Sequence, residues 1–348
     1  MLARLVRELP QGDYIYEPKW DGFRAICSRE HAQIEIGSRH GRPFARYFPE
    51  LTRALGELRA ERFVIDGEIV IVRDGRFDFE ALMLRTHPAA SRVEQLSVET
   101  PATFIAFDAL AVGGEDLSEQ PFVERRSRLE ELLAGPHGSI KLTPSTASRD
   151  EAAEWLRRFT GNGVDGVVAK HRSQTYEPGK RAMLKVKVER TADCVVAGFR
   201  AFPGGLVASL LLGLHDEAGI LRHVGVCSTF GADRRRELFE LMRRAATTLD
   251  GHPWEAGFGL ERSPVGRLKG SAGRWHPGVT MDWTPIKPMV AEVRYDTLDD
   301  RRFRHPALFL RWRPDREPQS CGFDQLVEVD TDAEALLSGD PGRNGACS

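Results

Sequence analysis

Lysine is scarce in this sequence. Eight of the 49 basic residues are lysine, so arginine carries almost all of the positive charge. A lysine amine can lose its proton and become a nucleophile, whereas an arginine guanidinium cannot. Lysines that occupy defined local patterns in such a chain therefore indicate sites that need an amine.

Cysteine and long apolar runs are also lacking. The five cysteines are scattered and form no C-x-x-C pair, which argues against a zinc site and against a disulfide framework. This pattern suits a reducing compartment, so we expect a cytoplasmic protein. No apolar run approaches the roughly 18 residues of a membrane span, and no apolar segment follows Arg4 and Arg7 as it would in a signal peptide.

The net charge of −2 excludes a strongly basic protein, but the charge is unevenly distributed. Residues 318–348 hold six acids and one base, so the rest of the chain carries +3. Two local arginine clusters, at 234–236 and 301–304, are candidates for phosphate contacts. For the first cluster, a solvated helix face is an equally good interpretation.

The order of predicted elements indicates two domains and a tail. In residues 1–190, strands alternate with a few helices, which suggests an α+β domain. In residues 191–317 we predict three strands, a helix at about 232–248 and two further strands, which is the layout of an OB-fold barrel. Residues 318–348 are acidic and rich in small residues, and we expect them to be flexible.

The stretch Tyr16–Ile26 surrounds one of the scarce lysines, Lys19. β-prone runs lie on either side of it, while Pro18 restricts the backbone next to it and Gly22 frees it. We therefore predict that Lys19 lies in a tight connection between two strands. A Lys-x-Asp-Gly pattern alone also arises by chance, so the rest of the sequence decides its meaning.

Three later stretches place acids or lysines within apolar strands. Asp66-Gly67-Glu68 interrupts a strong strand at 63–72, where an acid needs either an ion-pair partner or a metal ion. Asp165 and Lys170 stand at opposite ends of another predicted strand. Strand alternation puts Lys185 and Lys187 on one face, which indicates a bound anion; an exposed face of an edge strand is the alternative.

Taken in this order, these pieces resemble the nucleotidyltransferase superfamily, in particular the ATP-dependent DNA ligases. They are most similar to the small bacterial C-type or to the ligase domain of bacterial end-joining enzymes. The resemblance covers residues 5–317 and implies an α+β nucleotidyltransferase (ATP-grasp-like) domain followed by an all-β OB-fold domain. The segments similar to the family's motifs I, Ia, III, IIIa, IV, V and VI are, in order, Lys19–Arg24, Ser38–Gly41, Asp66–Glu68, Phe107, Asp165–Lys170, Lys185–Lys187, and Arg304–Pro306 with Arg311–Arg316.

The resemblance also implies the roles of individual residues. Lys19 would be the adenylated residue, with Asp21, Lys185 and Lys187 as its catalytic neighbours. Glu68 and Asp165 would be the metal ligands; the family usually has Glu in place of Asp165, whose shorter carboxylate would hold Mg²⁺ through water. The implied nucleotide-binding set is Glu17, Lys19, Arg24, Arg39, Glu68, Phe107, Lys170, Lys185, Lys187 and Arg313.

The implied reaction has three steps. The Lys19 amine attacks the α-phosphate of ATP and releases pyrophosphate, AMP then passes to a 5′-phosphate at a break, and a 3′-hydroxyl finally displaces AMP. Lys185, Lys187 and Mg²⁺ (or Mn²⁺) would favour the neutral amine and stabilise the developing negative charge. Arg313, on the second domain, would reach pyrophosphate only when the domains close about a hinge at 188–193.

ATP is the expected donor, because 18 residues precede Lys19 and leave no room for a nicotinamide-binding domain. The expected partners are ATP and nicked or broken duplex DNA, without a membrane, and we expect a monomer that acts in DNA repair. The loop 250–285 mixes basic residues with Trp254 and Trp275, as an element that grips a strand would. An ordinary barrel loop is an equal interpretation.

Two other functions stay open from the sequence. RNA ligases and guanylyl-transferring capping enzymes share the lysine and several motifs, although the Ser38–Gly41 turn and the Arg311–Asp315 segment favour a DNA ligase. A non-catalytic OB-fold protein that binds DNA ends would keep the core but would carry no covalent nucleotide. Labelling of the lysine with ATP or with GTP separates these functions.

Overall fold

The structure is a computed structural model that describes residues 1–39, 41–159, 163–258, 282–296, 298–299, 301–326 and 333–338. The chain forms two compact units, residues 1–188 with 329–348, and residues 189–328. The sequence predicts domain ends at 190 and 317, so the second unit extends further than expected.

The first unit mixes strands and helices, as the sequence predicts. Its strands are β1 (Ala3–Leu5), β2 (Tyr14–Trp20), β3 (Phe23–Glu30), β4 (Gln33–Ser38), β5 (Arg62–Arg73), β6 (Arg76–Phe77), β7 (Ala102–Val112), β8 (Glu115–Asp116), β9 (Ile140–Leu142), β10 (Val164–His171) and β11 (Met183–Val186). Its helices are α1 (Pro49–Gly56), α2 (Phe79–Arg85), α3 (Ala90–Glu99), α4 (Phe122–Leu132) and α5 (Arg149–Phe159), with a 3₁₀ helix at Ala45–Tyr47.

Two sheets meet where β2 passes into β3. The smaller sheet has the strand order β1-β11-β10-β2, and the larger has the order β4-β3-β5-β7-β8, with β6 beside β5 and β9 beside β7. Asp21 and Gly22 alone separate β2 from β3, although the two strands belong to different sheets. Lys19 lies within β2, so the predicted tight connection follows Lys19 instead of containing it.

Strand position explains two features of the smaller sheet. β2 is an edge strand, where Pro18 opposite Val167 is tolerated because an edge strand can lack one N–H donor. β11 lies between β1 and β10, so the edge-strand interpretation of Lys185 is wrong. Lys187 directly follows the last residue of β11.

Apolar spacing accounts for the packing of the first unit. In α5, the buried residues Ala152, Trp155 and Phe159 lie three and seven positions apart, which places them on one helix face. This face belongs to the same core cluster as Trp20 and Val167 of the smaller sheet. Helix α5 thereby packs against β2, the strand that carries Lys19, and fixes its position.

The second unit is an antiparallel sheet with one long helix. Its strands are β12 (Arg190–Phe202), β13 (Leu206–His215), β14 (Leu221–Cys227), β15 (Thr284–Tyr295), β16 (Leu298–Asp299), β17 (Arg302–Phe303) and β18 (Leu308–Trp312), and its helix is α6 (Ala232–Ala245). The main sheet has the order β14-β13-β12-β15-β18, and α6 falls between β14 and β15 in sequence. This layout confirms the predicted OB-fold.

Helix α6 ends earlier than the predicted Thr248. Ala246 already has extended backbone, and the Thr247 N–H donates to the Pro285 carbonyl oxygen at 3.0 Å, so the chain leaves the helix to pair beside β15. Among the residues described, no helix combines the length and the apolar character that crossing a membrane requires.

The loop after α6 contributes to the core of the second unit. Trp254 is fully buried, and its indole N–H donates to the Leu221 carbonyl oxygen at 2.9 Å. Trp254 therefore cannot grip a DNA strand, and that part of the prediction is wrong. The other loop residues of interest, Arg262, Arg267, Lys269, Arg274, Trp275 and His276, lie outside the described residues.

The chain after residue 317 differs from the flexible tail expected. Pro318–Ser320 and Phe323–Gln325 form short 3₁₀ helices, and Cys321 is fully buried in the core of the second unit. Further on, α7 (Ala333–Ser338) belongs to the first unit, where Leu336 joins the core cluster of Trp155. Cys321 and Leu336 are few among the acidic residues of this segment, so the composition of the segment does not reveal that it packs into the cores.

We predict that Gly22→Ala destabilises the first unit. A Cβ at this position would lie 2.2 Å from the Ile69 carbonyl oxygen and 3.0 Å from Val70 Cγ1, so β5 would have to move away from the connection. We expect the free energy of urea unfolding to fall by about 1–3 kcal/mol.

The matched control is Gly37→Ala in β4, because a Cβ at Gly37 would meet the Ile26 carbonyl oxygen at 3.8 Å, which is an ordinary contact. Its free energy of unfolding should stay the same or rise by up to about 1 kcal/mol, since alanine is less flexible than glycine in the unfolded chain. Equal unfolding midpoints for Gly22→Ala and the wild type would show that the connection and β5 are not in close contact.

Candidate active site

A cavity of about 420 Å³ lies beside β2 in the first unit. Its walls come from both sheets, with contributions from β1, β2, β3, β5, β7, β10 and β11. The fold thus gathers residues that are far apart in sequence. The predicted nucleotide-binding residues that line the cavity are Glu17, Lys19, Arg24, Arg39, Glu68, Phe107, Lys170 and Lys185.

Asp165 connects two of the lysines. The Nζ atom of Lys19 lies 2.8 Å from Asp165 Oδ2, and the Nζ atom of Lys187 lies 3.0 Å from the same oxygen. Burial alone would raise the pKa of Asp165, but the two ammonium groups and their hydrogen bonds outweigh it and lower the pKa to about 2. Asp165 is therefore ionised at neutral pH and holds both lysines beside the cavity.

A β-bulge in β10 puts Asp165 within reach of Lys19. Val164 lies opposite Trp20 and Gly166 lies opposite Lys19, so Asp165 is the extra residue between them. A bulge turns its side chain away from the regular strand alternation. Gly166 has a φ of +148°, and a Cβ there would lie 2.0 Å from the Val186 carbonyl oxygen, so the bulge needs glycine.

Lys185 adds a second amine to the cavity wall. Burial, followed by the positive charges of Lys19 and Lys187, lowers the pKa of Lys185. Lys19 and Lys185 line the cavity, and Lys187 is held close to Lys19 by Asp165, so the three lysines form one region of positive potential at the cavity wall. Such a region suits a phosphate group.

Glu68 is a half-buried acid that β5 contributes to the cavity wall. Its Oε1 accepts the Gly22 N–H at 3.1 Å, which ties β5 to the connection after Lys19. Burial raises the pKa of Glu68 to about 8, although the nearby charge of Lys19 and the Gly22 hydrogen bond oppose this shift. An added cation beside Glu68 would reverse the shift, which is the behaviour of a carboxylate suited to a metal ion.

Glu17 and Lys170 form a buried ion pair in the wall of the cavity. Their side chains are 3% and 2% exposed, and Lys170 Nζ lies 2.8 Å from Glu17 Oε2. Lys170 Nζ also donates to the Phe107 carbonyl oxygen at 2.7 Å and lies 4.9 Å from the centre of the Phe107 ring. A charged, hydrogen-bonding group therefore stands beside an aromatic ring, which is a combination suited to a nucleobase.

Arg24 lines the cavity but is already paired on its inner side. Its Nε and Nη2 donate to the two Asp66 carboxylate oxygens at 3.0 and 2.5 Å, and its Nη1 donates to the Met1 carbonyl oxygen. Asp66 also accepts the Tyr176 hydroxyl at 2.8 Å. For Asp66, the ion-pair interpretation is thus confirmed, and the acid that faces the cavity is Glu68.

Two predicted residues lie at the margin of this arrangement. Arg39 is exposed in the turn after β4, next to His40, which lies outside the described residues. Asp21 is half-buried in the β2–β3 connection, where its N–H donates to the Gly163 carbonyl oxygen at 2.9 Å. The negative charge of Asp21 contributes to the raised pKa of Glu68, so the two acids are near neighbours.

Arg313 follows β18 in the second unit and is held there by two carboxylates. Its Nη1 donates to Asp193 at 3.0 and 3.1 Å, and its Nε donates to Asp315 at 2.9 Å. The hydrogen bonds to Asp315 in particular raise the pKa of Arg313. Arg316 also donates to Asp193, at 2.9 Å, so one buried acid organises this segment.

Two residues of these networks are missed by sequence reasoning, Asp193 and Arg126. Asp193 is 7% exposed within the apolar strand β12, and an acid in an apolar strand is the same signal that points to Glu68. Arg126 reaches Glu17 from α4. It is one of many arginines in helical segments, and its sequence pattern gives no signal.

The first unit holds a lysine amine against a carboxylate beside a cavity of about 420 Å³, and an OB-fold follows this unit in the chain. This combination is typical of a nucleotidyltransferase. Residues 1–187 match the ATP dependent DNA ligase domain, and residues 203–316 match the ATP dependent DNA ligase C terminal region. The chain belongs to the ATP-dependent DNA ligase family.

Similar proteins agree with this assignment. DNA ligase C2 of Mycolicibacterium smegmatis is 49% identical over 94% of this chain and 93% of that protein. DNA ligase C of Mycobacterium tuberculosis is 48% identical over 94% of this chain and 92% of that protein. These similarities confirm the predicted resemblance to small bacterial C-type ligases.

A solved structure of a Lig E DNA ligase has a similar fold. It covers 90% of this chain and 99% of its own, with a TM-score of 0.53 and 19% identity. At this identity the likeness concerns the fold alone, and it agrees with an α+β unit followed by an OB-fold.

We predict that Glu68→Gln changes the pH dependence of stability in metal-free buffer. Below pH 4.5, Glu68 is protonated in both states; as the pH rises to about 8, the unfolded chain loses this proton while the folded chain keeps it. Wild-type stability therefore falls relative to the variant across this window. We expect the difference in free energy of unfolding to reach roughly 2 kcal/mol at pH 9 and to vanish near pH 4.

The measurement is urea unfolding at pH 4, 6.5 and 9 in the presence of a chelator. Glu35→Gln, at an exposed position of β4, is the matched control and should show no such trend. A difference between Glu68→Gln and the wild type that stays constant with pH would contradict the raised pKa.

Proposed function

We propose that this ATP-dependent DNA ligase seals breaks in duplex DNA through a Lys19–AMP intermediate. The single observation that best supports Lys19 is its ion pair with Asp165, at 2.8 Å, at the wall of the cavity. The pair fixes the amine next to Lys185 and Lys187, where a phosphate would be held. Among the described residues that line the cavity, Lys19 is the one lysine that shares β2 with Glu17 and lies next to the connection that contains Asp21.

In the first step, Lys19 Nζ would form a bond to the α-phosphorus of ATP while the bond to pyrophosphate breaks. Lys19 reacts as the neutral amine, and the proton that its nitrogen loses as the bond to phosphorus forms passes to water. Lys185 and Lys187 would stabilise the negative charge that builds on the phosphate oxygens. AMP would then move from Lys19 to the 5′-phosphate of the broken strand, and the 3′-hydroxyl would displace it.

The donor atoms of the site fit a hard divalent cation such as Mg²⁺. Glu68 and Asp165 offer carboxylate oxygens, and the described residues contain no group of three or more His, Cys, Asp or Glu side chains arranged around one ion. An ion bound there would therefore take its remaining ligands from phosphate oxygens and water, as Mg²⁺ commonly does. When bound, it would neutralise charge on the phosphates.

Phe107 and Glu17 would receive the adenine base. The Phe107 ring offers a flat apolar face, and an ionised Glu17 can accept hydrogen bonds but cannot donate them. Adenine carries an amino group as a donor at its 6-position, whereas guanine carries a carbonyl acceptor there. Glu17 therefore favours ATP over GTP.

Arg313 would act in the first step by binding the pyrophosphate leaving group. This requires the second unit to approach the cavity, with residues 188–193 as the hinge. The bonds of Arg313 to Asp193 and Asp315 would then be exchanged for phosphate oxygens. DNA repair is the setting that we propose for this activity.

We predict that Lys19→Ala separates the steps of the reaction. The variant should neither take up AMP from ATP nor join ordinary nicked DNA, because it lacks the amine. It should still seal a nick whose 5′-phosphate already carries AMP, since the last step needs no Lys19 amine. Intact mass and a denaturing gel of the DNA measure the two activities.

The wild type purified with and without pyrophosphate treatment is the control for a pre-existing adduct. Loss of sealing of the pre-adenylated nick, in a variant that keeps the wild-type melting temperature, would contradict the assignment of Lys19 to the first step. A wild type that never carries AMP would overturn the proposed intermediate altogether.

We predict that Arg313→Ala slows the labelling of Lys19 far more than it slows the sealing of a pre-adenylated nick. Loss of a cation that contacts the leaving group should cost roughly 100-fold in the first step. Arg243→Ala is the matched control, because Arg243 is an exposed arginine of α6 in the same unit and pairs with Glu240. Equal losses in both steps for Arg313→Ala would contradict the closure mechanism.

A further inference from the structure

Glu17 is held by two cations that approach it from different sides. Lys170 Nζ lies 2.8 Å from Glu17 Oε2, and Arg126 Nη1 lies 3.4 Å from Glu17 Oε1. Lys170 is part of the cavity wall, whereas Arg126 is not among the described residues that line it. Arg126 therefore contacts the carboxylate from behind, out of reach of a bound nucleotide.

The guanidinium of Arg126 is itself fixed in place. Its Nε donates to Glu130 Oε1 at 2.7 Å, one turn further along α4, and its Nη2 donates to the Thr143 carbonyl oxygen at 2.8 Å. Two of the three guanidinium nitrogens, Nε and Nη2, are thus occupied, and the third, Nη1, faces Glu17. The Arg126 side chain is 8% exposed, so this arrangement is shielded from water.

Thr143 ties this arrangement to the strand of the nucleophile. Its hydroxyl oxygen accepts the Trp20 indole N–H at 2.8 Å, and Trp20 is the neighbour of Lys19 at the end of β2. Arg126 therefore connects α4 to both the buried carboxylate and the residues that precede the β2–β3 connection. A change in Arg126 would be transmitted to the position of Glu17.

We propose that Arg126 is a positioning residue for base selection, which keeps Glu17 ionised and oriented as an acceptor for the 6-amino group of adenine. This inference rests on the proposed function, in which Glu17 meets the base. A carboxylate in this buried place is costly without charged partners, and burial indeed raises the pKa of Glu17 against the opposing effects of Lys170 and Arg126. A protonated or rotated Glu17 would no longer distinguish a donor from an acceptor at the 6-position.

The test compares ATP with purine riboside triphosphate, which lacks the 6-amino group, and with GTP. The rate of covalent nucleotide attachment, followed by intact mass, gives kcat and KM for each donor. For the wild type we expect a preference for ATP over purine riboside triphosphate of about 10- to 100-fold in kcat/KM. In Arg126→Gln this preference should shrink to within about 3-fold, chiefly through KM for ATP, and Arg126→Lys should lie between, because it keeps the charge but not the fork.

Arg128→Gln is the matched control. Arg128 lies on the same helix, pairs with Glu115 and Glu131, and is 39% exposed, so this variant should keep the wild-type preference. The Glu17→Gln variant should lose the preference, and adding Arg126→Gln to it should change little, because Arg126 acts through Glu17. Melting temperatures of all variants separate loss of folding from loss of selection, and Arg126→Lys supplies the test if Arg126→Gln does not fold.

An unchanged donor preference in folded Arg126→Gln or Arg126→Lys, or full additivity with Glu17→Gln, would overturn the role of Arg126 alone. Absence of covalent AMP on the wild type would instead overturn the proposed function on which the inference rests.

Discussion

The ion pairs of Asp165 with Lys19 and Lys187 set the geometry of the whole site. Three lysine side chains converge on one side of the cavity, and without a negative charge between them they would repel one another. The β-bulge in β10 is what places the carboxylate there, and Gly166 is what allows the bulge. Phosphate oxygens of a nucleotide can supply the same negative charge as Asp165, so the resting arrangement already has the charge distribution that the substrate requires.

A second constraint is that buried charges must be paired. Such pairs at the site include Glu17 of the smaller sheet with Lys170 and Arg126, and Asp66 with Arg24 in the larger sheet. A buried pair contributes little net stability, but the loss of one partner is costly, which makes these side chains rigid reference points. Glu68 differs from them because it is half-buried without a direct cationic partner at ion-pair distance among the described residues, which leaves its carboxylate suited to a ligand.

Much of the fold and part of the site follow from the sequence, for reasons that individual residues show. Strand alternation and helical spacing place β5, α5 and α6, and the scarcity of lysine points to Lys19, Lys185 and Lys187. Arg126 is not recognisable because its partners are set by tertiary contacts. The bulge at Asp165 is marked in the sequence by Gly166 alone, which does not show that the Asp165 side chain turns toward Lys19. Composition is misleading after residue 317, where the buried side chains of Cys321 and Leu336 anchor segments that look flexible. It is also misleading at Trp254, which the sequence suggests as a contact to a DNA strand but which lies in the core of the second unit.

The central claim is that Lys19, among the lysines gathered at Asp165, is the residue that carries AMP. The most direct measurement is tandem mass spectrometry of the protease-digested protein after incubation with ATP and Mg²⁺, which locates the nucleotide within the chain. The account predicts AMP on the peptide that contains Lys19 and none on the peptides that contain Lys185 or Lys187. AMP on either of those two residues, or no adduct in a protein that still joins nicked DNA, would contradict it.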